Sequence, residues 1–222
     1  MGDPTTLVLV RHGVTEHTTG RRFSGGLAGS NPGLSEEGRA QAAAVAGWLG
    51  GATDPIDAVV SSPVRRTRET ATVIAEALGR TVVEEAGFAE MEFGAWDGRT
   101  FDEVGEQHRE ELDQWLGSLD VAPGGTGESF REVETRVLSS LQRVLDEHAG
   151  RTVVVVSHVT PIKTLVAHVL DAPLLSVFRM QLTPASVTVL SFLDPETHGP
   201  QASMRLFNAT PGDLALGVPN RW

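Results

Sequence analysis

Leu7-Val8-Leu9-Val10-Arg11-His12-Gly13 passes from an apolar run directly to a guanidinium, an imidazole and a glycine. The run has no polar face, so residues 6–10 read as a strand buried on both sides of a sheet. Open α/β sheets place their ligand crevices at the carboxyl ends of such strands. A histidine there can be a nucleophile or an acid/base, and an adjacent arginine can hold an anion bidentately. Alone the tripeptide decides little, because a single strand-end histidine is usually an ordinary surface residue. The other strands change that.

Val59-Val60 leads to Ser61-Ser62 and then to Arg65-Arg66, and Val154-Val155-Val156 leads to Ser157-His158. If the three strands are parallel neighbours, two imidazoles and at least two guanidinium groups meet at one sheet edge. Cations and helix starts favour phosphate. A phosphoryl group neutralised by arginine is open to attack by a neutral imidazole nitrogen. Glu90 or Glu92, just before Gly94-Ala95-Trp96-Asp97-Gly98, could then protonate the leaving alkoxide.

The remaining chain alternates helices and strands, which predicts a mostly parallel sheet covered on both faces. Residues 12–34, rich in Gly, Ser, Thr and Asn, read as a long loop of the functional kind. Ser35 caps a helix that Gly50-Gly51 stops, with Ala42, Val45, Ala46 and Leu49 at helical spacing. Strands are expected at 56–61, 82–84, 152–156, 186–192 and 203–207. Helices are expected at 62–78, at 101–116 as two polar pieces with Trp115 and Leu116 docked on the core, at 128–148, and from about Pro161. The whole chain, 1–222, reads as one domain, with a helical excursion at about 95–127 over one end of the sheet and a C-terminal tail at 209–222.

A net charge of -11 argues against nucleic acid or an anionic membrane surface as partner. No segment has the roughly 18 consecutive apolar residues of a membrane span, and Met-Gly-Asp-Pro-Thr-Thr lacks the basic start of a secretory leader. The absence of cysteine excludes disulfides and thiolate metal sites and is compatible with a cytoplasmic location. The remaining histidines show no metal-ligand spacing, so no metal and no cofactor are expected. Arg65 and Arg68 read as solvated charges paired with acids such as Glu69. Oligomeric state is open, a homodimer included.

The chain resembles the histidine phosphatase superfamily, which includes broad-specificity acid phosphatases, α-ribazole phosphatases and cofactor-dependent phosphoglycerate mutases. The resemblance covers roughly residues 7–165 and rests on landmarks in order. Arg11-His12-Gly13-Val14-Thr15 matches RHGxT. Residues 32–42 match P-x-L-[ST]-x-x-G-x-x-Q-A, and residues 62–71 match S-x-x-x-R-[AT]-x-x-T-A with Arg66 in the phosphate-binding place. Residues 90–98 match E-x-x-x-G-x-W-[ED]-G, which selects Glu90 over Glu92. Gly127-Glu128-Ser129 and Val156-Ser157-His158 complete the series. The resemblance implies that His12 becomes phosphohistidine. Arg11, Arg66 and His158 would bind the phosphoryl oxygens, and Glu90 would protonate the leaving group and later activate water. Arg22 and Gly25 fall in the family's R-x-Q-G segment near the substrate.

Three departures stand out. Thr18 occupies the place of a usual Asn, Ser24 that of the Gln, and Val159-Thr160-Pro161 follows His158 in place of Gly-Gly. A Thr or Ser hydroxyl can still donate, and Val159 is expected to keep a free N–H. The segment 157–163 resembles the α-ribazole phosphatase subgroup, some of whose members follow a ribonuclease H domain that these residues do not contain. The expected function is hydrolysis of a small phosphomonoester, one like α-ribazole phosphate included, with inorganic phosphate as product. The alternatives are phosphoglycerate mutase activity, against which the moderate 98–127 interval speaks, and non-catalytic binding of a phosphate ligand.

Overall fold

A computed structural model describes residues 3–52, 55–193 and 202–211. Strands β1 (Thr5–Arg11), β2 (Ala58–Ser61), β3 (Val82–Glu84) and β4 (Thr152–Ser157) run parallel. β5 (Val187–Phe192) and β6 (Ala202–Ala209) are antiparallel, and the six stand in the order β3-β2-β4-β1-β5-β6. Helices α1 (Glu16–Thr19), α2 (Glu36–Gly50), α3 (Arg65–Leu78), α4 (Phe101–Gln107), α5 (Arg109–Gly117), α6 (Phe130–Glu147) and α7 (Val159–Val169) complete the α/β domain. The expected tail lies outside the described residues beyond 211.

Side-chain alternation explains why the central strands are apolar throughout. Leu7, Leu9, Val153 and Val155 pack with Val133, Val137 and Leu141 of α6 and Leu165 of α7. Val8, Val10, Val154 and Val156 pack on the other face with Val45 and Leu49 of α2 and Ala71 and Ile74 of α3. Both faces are closed, and polar chemistry is confined to the strand ends. In register, Arg11 pairs with Ser157 and Ser61 with Val156, so three parallel strands end side by side.

Several boundaries differ from the sequence reading, each for a visible reason. The second strand begins at Ala58 rather than Ile56, because Thr152 N–H turns to the Asp57 carboxylate at 2.9 Å. α3 begins at Arg65 rather than Ser62, because Ser62 N–H extends the ladder to Val156 O at 3.0 Å. α7 starts two residues before Pro161, with His158 as an extended N-cap; a proline in the first turn forfeits no intrahelical bond. The 12–34 segment contains α1, closed by a reciprocal Thr15–Thr18 capping box.

That segment is clamped to α2 through glycines. A Cβ on Gly38 would lie 2.1 Å from Val14 O, and one on Gly13 would lie 2.4 Å from Gly38 O. Backbone cannot yield as a flexible side chain can. We therefore expect Gly38→Ala to lower unfolding free energy by about 1–3 kcal/mol, read from urea midpoints at unchanged m-value, and to reduce activity by displacing His12. An unshifted midpoint would refute the clamp.

Candidate active site

β1 ends on Arg11 and hands the chain to His12, whose N–H donates to Ser157 O at 3.1 Å and whose carbonyl accepts from Ala185 N–H at 3.1 Å. The His12 ring is pinned at both nitrogens. Nδ1 lies 2.8 Å from Gly13 O, which assigns the proton there, and Nε2 accepts from Arg66 Nε at 3.2 Å. The lone pair is therefore on Nε2. His158, at the end of β4, has its ring centroid 5.2 Å from that of His12. Its Nε2 lies 2.9 Å from Ser62 Oγ. With the Ser62 hydroxyl donating there, His158 carries its proton on Nδ1, which has no partner among the described residues.

Arg66, in the first turn of α3, gives Nη2 to Ser24 O at 3.2 Å and Gly25 O at 3.0 Å. The Arg11 guanidinium bonds Leu182 O. Arg11 Nε, Arg66 Nη1 and Ser24 Oγ are buried without a partner among the described residues. Unpaired buried donors cost free energy, and a tetrahedral oxyanion would satisfy several together.

Glu90 closes the opposite side. Its carboxylate accepts N–H bonds from Met91 (2.9 Å), Val159 (3.1 Å) and Thr160 (3.3 Å). The expected free Val159 N–H is thus corrected: α7 presents its first N–H groups to Glu90, as helix starts do to carboxylates. Glu92 instead ties the 25–30 loop, accepting from Leu27 N–H at 2.6 Å and Ala28 N–H at 3.1 Å. The Glu90 backbone is held from behind by Arg136, which sequence reading missed. Arg136 Nη2 reaches Glu90 O at 3.0 Å, Nη1 reaches Ala89 O at 2.7 Å, and Glu128 pairs with Arg136 Nε at 2.8 Å. No local spacing signals that brace, since it joins α6 to a loop 46 residues earlier.

A cavity of about 630 Å³ joins Arg11, His12, Ser24, Arg66 and Glu90. Thr18, Arg22 and Val159 also line it, but the Thr18 hydroxyl is occupied by Thr15 (3.1 Å) and Arg22 by Gly98 O (2.8 Å). Gly25 does not line the cavity; it donates to Asp97 at 2.6 Å and accepts from Arg66, so its place is in holding that arginine. Leu116, expected on the core, is 41% exposed at the cavity rim. Lys163, one turn into α7, and His17 line the cavity and were not singled out by sequence; helical spacing from Val159 could have found the lysine. Arg65 and Arg68 pair with Glu69 (2.6 Å) and Glu84 (3.0 Å). Among the described residues no three His, Asp or Glu side chains are grouped to hold a metal ion, and no helix is long and apolar enough to cross a membrane.

Burial, reinforced by the Arg66 and Arg11 charges, pushes His12 well below its usual 6.5, and burial with Arg66 does the same to His158. Burial also lowers Arg11 to about 10, against the pull of Glu90. Both histidines are therefore neutral in the fold. Below pH 6.5 the unfolded chain takes up two protons that the native state refuses, so stability must fall with falling pH. The slope from this pair is about 1.4 kcal/mol per pH unit at pH 6.5 and approaches a limit of about 2.7 as the unfolded imidazoles become fully protonated. In His158→Gln that slope should halve; equal slopes in chemical denaturation at pH 6.5 and 5 for both proteins would refute it.

A neutral imidazole, unpaired cationic donors and a facing carboxyl define a site suited to an oxyanion in an α/β protein. The chain belongs to the histidine phosphatase superfamily (branch 1), whose family model matches residues 7–201. It is 43% identical over 212 residues to a bifunctional protein of Mycobacterium tuberculosis, covering 94% of this chain and 55% of that one. The chain thus spans about half the length of that relative. Phosphoserine phosphatase 1 of Hydrogenobacter thermophilus is 34% identical over 184 residues, with 83% of this chain and 85% of that protein covered. The mycobacterial glucosyl-3-phosphoglycerate phosphatase complexed with VO3 superposes with a TM-score of 0.80 at 30% identity, covering 92% of this chain and 99% of that one.

Proposed function

We propose that the chain hydrolyses small phosphomonoesters through a phosphohistidine formed on His12. The observation that carries this reading is the His12 ring. It is neutral, protonated on Nδ1, and holds its Nε2 lone pair beside Arg66 in a cavity where Arg66 Nη1 and Arg11 Nε lack partners among the described residues, as does Nδ1 of the neighbouring His158 ring. A bound phosphoryl group takes those donors and draws Arg66 Nε away from the ring. Nε2 then forms the N–P bond as the P–O bond to the alcohol breaks, and Glu90 gives its proton to the departing oxygen. In the second half, water gives a proton to the Glu90 carboxylate and its oxygen attacks phosphorus. The N–P bond breaks, releasing inorganic phosphate.

Arg11 and Arg66 supply the charge neutralisation that a divalent cation supplies elsewhere, so this reading is metal-independent. The relatives named as phosphatases support hydrolysis. Phosphate release from an alkyl phosphate should persist in excess EDTA, and base-quenched enzyme should carry an acid-labile, base-stable phosphoryl group. Binding of phosphate with no such phosphoenzyme would leave only a ligand-binding protein. Bisphosphate-primed transfer without net phosphate release would make it a mutase.

A further inference from the structure

The cavity has a second half with different chemistry. Phe101 of α4 and Phe178, in the turn before β5, line it while standing 48% and 40% exposed. Each is backed by a buried ring. Phe101 stacks on Phe23 with centroids 4.3 Å apart and planes at 27°, and Phe178 meets Phe130 edge-on at 4.9 Å. Trp115, 5% exposed, joins the two sides, stacked on Phe130 at 5.4 Å and edge-on to Phe23 at 6.2 Å. These rings come from four separate parts of the chain and share the cavity that holds His12.

Two of the polar groups nearby are already occupied, while His17 Nδ1, Ser24 Oγ and Trp115 Nε1 are buried without a partner among the described residues. Thr18 is closed in its capping box, and Arg22 is held by Gly98 O and by Glu103 at 3.6 Å. Lys163 stands one turn after Val159, whose N–H binds Glu90, so it belongs to the phosphate end. A flat ring would bury apolar area on Phe101 and Phe178 and find aromatic geometry ready on both sides.

We infer that the cavity selects phosphomonoesters whose alcohol carries an aromatic ring, seated against Phe101 and Phe178 while the phosphoryl group lies at His12. The inference rests on the phosphatase reading for its phosphate end and names the substrate class of that site.

The test compares 2-naphthylmethyl phosphate with n-propyl phosphate, whose leaving alkoxides have similar basicity, so that the ring and not the chemistry is varied. Wild type should favour the naphthylmethyl ester by about 30-fold or more in kcat/KM, ahead of phosphoserine and 3-phosphoglycerate. The exposed pair Phe101→Ala/Phe178→Ala should bring that ratio to within about threefold. Calorimetric binding of the two matching phosphonates gives the same ratio without turnover. Equal kcat/KM for the two esters with equal phosphonate binding overturns the inference and leaves the hydrolase reading standing. So does a ratio that survives the double substitution, or a preference for phosphoserine. A strong phosphonate preference without turnover of any ester sustains the aromatic site and removes the hydrolase reading.

Discussion

His12→Ala should lower kcat/KM on the order of 10⁴-fold or more and abolish the phosphoenzyme. The size follows from the role: with Nε2 gone, the phosphoryl site loses the ring nitrogen that Gly13 O and Arg66 hold in place. His158 is poorly suited to take over, since its Nε2 is committed to Ser62. The backbone of residue 12 is tied on both sides, to Ser157 and Ala185, so the variant should keep its fold. Inorganic phosphate should still bind, because the Arg11 and Arg66 guanidinium groups remain. Rapid alkaline quench with labelled substrate separates the outcomes. A variant that keeps full turnover would falsify the mechanism outright.

Glu90→Gln should show a loss that depends on the leaving group. For alkyl phosphates, whose alkoxides are strongly basic, the missing proton should cost about 10²–10⁴-fold in kcat. For a nitrophenyl ester, which leaves without help, the first step should change only a few-fold. The substitution also has a structural signature. Met91, Val159 and Thr160 N–H groups share two carboxylate oxygens, and an amide offers only one acceptor oxygen. One N–H loses its partner, at a cost of about 1–3 kcal/mol. Equal losses on alkyl and nitrophenyl esters in the phosphorylation step would remove Glu90 from the proton transfer while leaving its helix-capping contact intact.

Particular residues show how far the chain can be read without coordinates. Ser35 caps α2 as expected, because capping is a contact over three residues, whereas α6 starts at Phe130 with Ser129 as its cap, two residues later than expected. Phe130, Val133, Val137, Leu141 and Val144 fall on one buried face for the same local reason. His158 was legible as a strand-end residue but not as an N-cap, since that depends on where α7 begins. The Val159 N–H was misjudged because its acceptor lies 69 residues away on a loop without regular structure. Arg136 was invisible for a similar reason.

What residue order alone determined was which positions alternate into a buried sheet, where helices start and stop, and which imidazoles, guanidinium groups and carboxyl terminate those elements; each depends on interactions within one turn or one pleat. Only the tertiary structure decided that β1, β4 and β2 lie side by side, that the first N–H groups of α7 bind Glu90, and that four distant aromatic segments wall the cavity. Those outcomes depend on how whole faces pack together, and packing couples residues whose separation along the chain carries no trace of their contact.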